Sequence, residues 1–222
     1  MRVITKKALA IDSLDYESPG GSIWDIHPGK SYCLKIKKLI NSGKYLDLGA
    51  GGGVLVDNLA KYGVDAYGLE GTDHAVNTSK YENLPNHPWI RKDEKRWKII
   101  TDAWKKWYNK RLFHGDVTEE FSFYNDNSRV TFDIISAWEV LEHIHENKIP
   151  FLVENIRLNL NKGGIFIGSV STQTVDPHHV CCYEKPWWDN AFSKGFEIEE
   201  WPVGLSSYRD EPNSFLVCYR RI

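Results

Sequence analysis

The sequence is poor in several features that would point to other kinds of protein. Four cysteines occur in 222 residues, Cys33, Cys181, Cys182 and Cys218, and none stand in a C-x-x-C spacing. A chain of this length holds a core without staples, so they read as reduced thiols. The adjacent Cys181 and Cys182 are included, because a disulfide between neighbours is strained. No apolar run approaches the roughly 18 residues of a membrane span. The start Met1-Arg2-Val3-Ile4-Thr5-Lys6-Lys7 carries no signal-peptide apolar core. No membrane association is expected, and the expected location is the cytoplasm. Charge of one sign is missing too: 28 Lys and Arg against 30 Asp and Glu leave a net charge of -2. No whole-molecule field therefore steers the chain onto nucleic acid or anionic lipid, and any basic site is local. Internal repeats and low-complexity tracts are absent.

What is present is a composition of 41% apolar and 26% charged residues, that of a globular protein, and residues 1–222 read as a single domain. From Gly43 onward short β-branched runs alternate with helical stretches, the signature of a parallel sheet with crossover helices. A helix carrying Leu34, Ile36, Leu39 and Ile40 closes at Gly43, and Tyr45–Leu48 follows as the first strand. A helix from Val54 to Tyr62 ends at Gly63, and Val64–Leu69 is the second strand, ending on Glu70. Further strands fit Leu112–His114, Thr131–Ala137 and Ile165–Val170, the last after a helix bearing Ile149, Leu152, Val153, Ile156 and Leu160. Phe196–Trp201 and Phe215–Tyr219 have no helix between them and read as a hairpin, which makes one sheet edge antiparallel.

Residues 81–111 break this rhythm, being too long for an ordinary connection. Trp97, Ile100, Trp104 and Trp107 fall at helical spacing on one face, and Arg91–Arg111 sets nine Lys or Arg against three acids. Together with residues 1–42 this Trp-rich basic insertion is expected to form a helical lid. Its tryptophans and cations also suit single-stranded nucleic acid, but one helix supplies few phosphate contacts, so a lid is the better reading.

Asp47-Leu48-Gly49-Ala50-Gly51-Gly52-Gly53 lies between a strand and a helix, where glycines allow a tight turn and a close backbone approach to a ligand. An acid ahead of the glycines repels a pyrophosphate and suits a ligand with an ammonium group and no phosphate. Here the sequence resembles the class I S-adenosylmethionine-dependent methyltransferases, over about residues 43 to 172. Asp47, Gly49, Gly51 and Gly53 stand at the DxGxGxG positions, and Glu70 with Gly71 follows the second strand. Asp116-Val117 follows the third strand, Phe132 to Ile144 resembles the fourth-strand motif, and Leu160 to Phe166 the turn into the fifth. The resemblance implies an α/β fold with a doubly wound, mostly parallel seven-stranded sheet, an antiparallel edge hairpin and a helical lid or insertion. It also implies S-adenosylmethionine as cofactor and S-adenosylhomocysteine as product. Glu70 would accept the ribose hydroxyls and Asp116 the adenine amino group, with Trp138 against the methionine end. Singly, each acid is a helix cap or turn former, and it is their joint order that carries the assignment.

On the acceptor side, in-line methyl transfer needs alignment and, for a hydroxyl, a base. Histidine is the usual base near neutral pH, and the candidates are His143, His178 and His179, the last two in Asp176-Pro177-His178-His179 after the fifth strand. His27 beside Pro28 reads as a helix-entry residue. Glu139, Glu142 and His143 fall at i, i+3 and i+4, which gathers three ligands if the stretch is helical, and with His178 or His179 they could hold a divalent ion. This pattern resembles that of ubiquinone-pathway O-methyltransferases and small-RNA 3′-end methyltransferases. The sequence thus points to methylation of a hydroxyl on a small polar acceptor, a sugar or other metabolite, with an anionic or nucleotide-linked one suited by the basic helix. An RNA-modifying enzyme and a catalytically silent cofactor-binding scaffold are the alternatives.

Overall fold

A computed structural model describes residues 1–17, 29–73, 94–202, 205 and 213–222, the side chains of 94–97 excepted. Seven strands form the main sheet: β2 (Lys44–Leu48), β3 (Asp65–Glu70), β4 (Leu112–His114), β7 (Phe132–Ala137), β8 (Leu160–Ser171), β9 (Phe196–Ile198) and β10 (Ser214–Arg221). Their order is β4-β3-β2-β7-β8-β10-β9. The first five are parallel, whereas β10 runs antiparallel to both β8 and β9. The expected hairpin is therefore present. Its first strand stops at Ile198 rather than Trp201.

Alternation along the strands fills two cores. Leu46, Ile135, Phe166 and Tyr219 point to one face, Tyr45, Ile134, Ile167 and Cys218 to the other. The first face packs on α5 (Ile149–Asn159) and α6 (Lys185–Phe192), whose Trp188 and Phe192 are fully buried. The second packs on α2 (Lys30–Ile40), α3 (Val54–Lys61) and α4 (Glu94–Trp107). Pro150 sits in the first turn of α5, where its missing N–H costs nothing. Leu160, expected in that helix, instead begins β8.

A second sheet is a departure from the sequence reading. β1 (Arg2–Thr5), β5 (Phe121–Asn125) and β6 (Ser128–Val130) form three antiparallel strands, so the chain's start is a strand and not part of a helical lid. Phe121 and Phe123 alternate inward from β5 and bury against Phe132, which gives β1 a rigid partner. From this strand residues 6–17 run as a strap, ending in the one-turn helix α1 (Leu14–Glu17). Its fixed points are Ala10 N–H to the Gly71 carbonyl (2.8 Å) and Asp116 N–H to the Lys7 carbonyl (2.9 Å).

Candidate active site

Strand order reverses between β2 and β7, and the crevice outside their carboxyl ends holds a cavity of about 650 Å³, within the range that encloses a cofactor-sized molecule. The glycine loop forms one wall. Gly49, Gly51 and Gly53 have φ of 68°, 50° and 74°, a region that L side chains rarely adopt. A Cβ on Gly49 would stand 2.4 Å from Val140 Cγ2, so the loop packs against the turn after β7. Gly53 has the same conformation but caps α3 and faces Leu112, away from the cavity.

The acids named from the sequence are each held. Asp47 is buried, and its carboxylate accepts the Ser136 hydroxyl at 2.5 Å. Glu70 accepts the Gly51 N–H (2.6 Å), the Thr72 N–H (2.7 Å) and the Thr72 hydroxyl (2.9 Å). Burial pushes Glu70 above the ordinary carboxylate range against the pull of those donors. Asp116 accepts both donors of Thr118, N–H at 2.9 Å and hydroxyl at 2.7 Å, and its second oxygen lies 3.7 Å from the Lys7 ammonium. Gly71, Val117 and Trp138 complete this end of the cavity.

The acceptor end corrects one expectation and sharpens another. Glu139, Glu142 and His143 do not share a helix face. Glu139 has φ of 52°, and residues 141–143 form a single 3₁₀ turn well before α5 begins. Glu139 pairs instead with Ser169, whose hydroxyl donates to its carboxylate at 2.7 Å and accepts its N–H at 3.0 Å. The loop after β8 docks on the 3₁₀ turn through Val180 and Cys181 N–H groups on the Glu142 carbonyl (2.8 and 2.9 Å), which brings His179 to His143. Their ring centroids are 4.8 Å apart, edge to face. His178 turns away: its N–H and Nδ1 both engage Asp176 (2.9 and 3.0 Å), and it does not line the cavity.

Glu142, His143 and His179 offer ligand atoms within 4.8 Å of one another, the group of this kind among the described residues. Glu142 is fully buried. One of its oxygens accepts the Ser171 N–H (3.2 Å), while the other has no hydrogen-bond partner among the described residues. Burial first and the Glu139 carboxylate second push Glu142 up to about 8. His143 is held by Asp15 of the strap, both carboxylate oxygens lying 3.1 Å from Nδ1. Burial lowers this imidazole, but Asp15, Glu142 and Asp176 together outweigh it and leave the ring more readily protonated than usual.

The basic insertion is the second correction. None of the described side chains of α4 lines the cavity. The helix lies behind the glycine loop: Ile100 and Trp104 are buried in the second core, and Trp104 Nε1–H donates to the Gly51 carbonyl at 2.9 Å. Trp107 Nε1–H and the Lys106 ammonium both reach Asp57 of α3 (2.8 and 3.0 Å). The amphipathic pattern was sound, and the apolar face of the described helix seats on the α3 side of the sheet. Residues 81–93 of the expected insertion, and His27, lie outside the described residues.

Lys7, Asp15, Thr72, Ser136 and Gln173 were not anticipated. Thr72, two residues beyond Glu70, had a local signal, since Thr bonds readily to a nearby acid. Asp15 had none, because its partner His143 is more than a hundred residues away.

The family model described as a methyltransferase domain matches residues 28–205. No curated protein matches the chain. Among solved structures it is similar to the CcbJ methyltransferase from Streptomyces caelestis, with TM-score 0.60 and 13% identity over 98% of each chain. It is also similar to a TehB-like S-adenosylmethionine-dependent methyltransferase from Corynebacterium glutamicum (TM-score 0.54, 16% identity, 86% of this chain and 88% of that one). The glycopeptide N-methyltransferase MtfA in complex with S-adenosylmethionine is a third (TM-score 0.53, 15% identity, 90% and 96%). What these share with the chain is the fold. No helix among the described residues is long and apolar enough to cross a membrane.

Proposed function

The chain belongs to the methyltransferase-domain family, and from that premise we propose that it transfers the methyl group of S-adenosylmethionine to a hydroxyl of a small polar acceptor. The observation that carries the reading is the continuity of one cavity. The glycine loop, Glu70 and Asp116 stand at one end, and His143 and His179 at the other. The first end suits the amino acid, ribose and adenine of the cofactor, and a carboxylate such as Glu70 is a natural acceptor for two ribose hydroxyls. At the other end His179 is the base. Its Nδ1 lies 2.7 Å from the Gln173 carbonyl, which only accepts, so Nδ1 carries the proton and Nε2 is left to take one from the acceptor.

The acceptor is neutral or only weakly charged. Among the described residues the lysines lining the cavity, Lys7 and Lys148, are both spoken for, by Asp12 at 2.5 Å and Glu119 at 3.3 Å. None of the described cations of the basic helix lines the cavity, so an anionic or nucleotide-linked acceptor draws no support from them.

Calorimetry with S-adenosylmethionine tests the cofactor, and mass-spectrometric screening of polyols and sugars for methylated product tests the acceptor. His179→Ala is expected to lower turnover about 10²- to 10⁴-fold with cofactor affinity kept, while His178→Ala leaves turnover near the unmodified value. Equal loss in both variants would remove His179 as the base.

A divalent ion at Glu142, His143 and His179 is a second reading, favoured by the buried Glu142 oxygen without a hydrogen-bond partner among the described residues. One carboxylate and two imidazoles form a donor set for such an ion, and when bound it lowers the pKa of a coordinated hydroxyl. Chelator-sensitive turnover, and a rise in Tm with Mg²⁺ or Mn²⁺ that Glu142→Gln abolishes, select this reading over the unassisted base.

A further inference from the structure

We propose that Asp15 is a positioning residue: its carboxylate fixes the proton of His143 on Nδ1, which makes the acceptor end of the cavity dependent on the N-terminal strap. The inference goes beyond the proposed reaction and needs only that His143 lines the cavity. Both oxygens of Asp15 stand 3.1 Å from Nδ1 of His143. An ionised carboxylate only accepts, so the bridging proton sits on Nδ1, and Nε2 is the nitrogen left to take a proton or a ligand.

Neither partner is free to drift. Residues 141–143 are held in their 3₁₀ turn by the His143 N–H on the Val140 carbonyl (3.1 Å). Asp15 is held by its own N–H on the Ser13 hydroxyl (3.3 Å) and by Ser13 N–H on the Ala10 carbonyl (2.8 Å). Ala10 is in turn bound to Gly71, beside the acid that ends β3, so one continuous strap touches the cavity at both ends. An outer acceptor that fixes an imidazole tautomer is the usual way a histidine is oriented for base or ligand duty. His179 shows the same arrangement through Gln173. Among the described residues Asp15, Glu142 and Asp176 bring charge to His143, the His179 ring packs edge to face on it, and the Asp15 carboxylate stands at hydrogen-bond distance from its ring nitrogen.

The test is a long-range ¹H–¹⁵N spectrum of the imidazoles in the full chain with S-adenosylhomocysteine, at a pH where the ring is neutral. The His143 signals are assigned by their loss in His143→Gln. The unmodified protein is expected to show Nδ1 protonated and Nε2 bare. Asp15→Asn, whose amide oxygen still accepts, keeps that form, and Asp15→Ala replaces it by a mixture of the two tautomers. Asp15→Leu, which fills the space, gives the same reading should Asp15→Ala not fold. Affinity for S-adenosylhomocysteine is expected to stay within about twofold throughout, which separates loss of positioning from loss of the cleft. An Nε2-protonated His143 in the unmodified protein, or an unchanged tautomer in Asp15→Ala, overturns the proposal. Failure of S-adenosylhomocysteine to bind at all overturns the methyltransferase reading and leaves the tautomer result intact.

Discussion

The peptide of Gly51 is gripped from two directions, its N–H by Glu70 and its carbonyl by Trp104. Glu70→Ala therefore removes a brace of the glycine loop together with the proposed ribose acceptor. A loss on the order of 1.5 to 3 kcal/mol, about tenfold or more in affinity for S-adenosylmethionine, is expected by calorimetry. Glu70→Gln keeps one acceptor oxygen for the loop and isolates the ribose contact, so unchanged binding in that variant removes the assignment. His114 carries a prediction about pH. Its ring stacks on Trp104 (5.0 Å, 19°), and burial lowers its pKa from the ordinary 6.5. As pH falls below about 6.5 the unfolded chain takes up a proton that folded His114 refuses, so stability declines until the folded-state pKa is reached. His114→Phe is expected to flatten that part of a plot of Tm against pH, and an unaltered slope would place the titration elsewhere. Asp47, Glu70 and Asp116 were readable in the sequence because each stands at or just beyond the carboxyl end of a strand. Asp15 was not, because a contact across the whole fold leaves no period or spacing behind.

At the scale of elements, α4 holds the cofactor loop from behind, and its effect on binding is indirect. Trp104→Ala opens a cavity beside Gly51 and is expected to cost about 3 to 5 kcal/mol of stability, with weaker binding of S-adenosylmethionine. Trp104→Phe keeps most of the ring and loses the Gly51 hydrogen bond, so it separates packing from loop support. If Trp104→Phe loses affinity as fully as Trp104→Ala, the hydrogen bond dominates. If it binds normally, packing suffices. The helix itself was legible from its apolar spacing, but its seat was not, since an amphipathic pattern says that a face is buried and not against what. The small sheet went unread for a related reason. Phe121 and Phe123 alternate as a strand should, and Asp126 (φ 53°) supplies the turn, but β5 and β6 are short and stand among polar residues. The vicinity of Glu139 misled in the opposite sense: an i, i+3, i+4 pattern was present, and the left-handed residue that breaks the helix is invisible in composition.

In the whole molecule, the parallel strands and both cores follow from alternation that any reading of the sequence recovers. The closing wall of the cavity follows from the pairing of β1 with β5. Removing residues 1–5 strips β5 of its edge partner and the strap of its anchor, so Tm and affinity for S-adenosylmethionine should fall together. A truncated chain that binds normally would show that the strap is held by Ala10 and Lys7 alone. The same pairing has a bearing on the order of events during synthesis. β1 leaves the ribosome ahead of the other described strands, yet its partner, Phe121–Asn125, emerges only after β2, β3 and β4 have followed. Contacts of such wide separation form late, because the loop they close must be ordered first. The strap, Asp15 and the far wall of the crevice therefore settle only after β2, β3 and their helices have docked, and for that interval the nascent glycine loop is without the wall that the strap supplies.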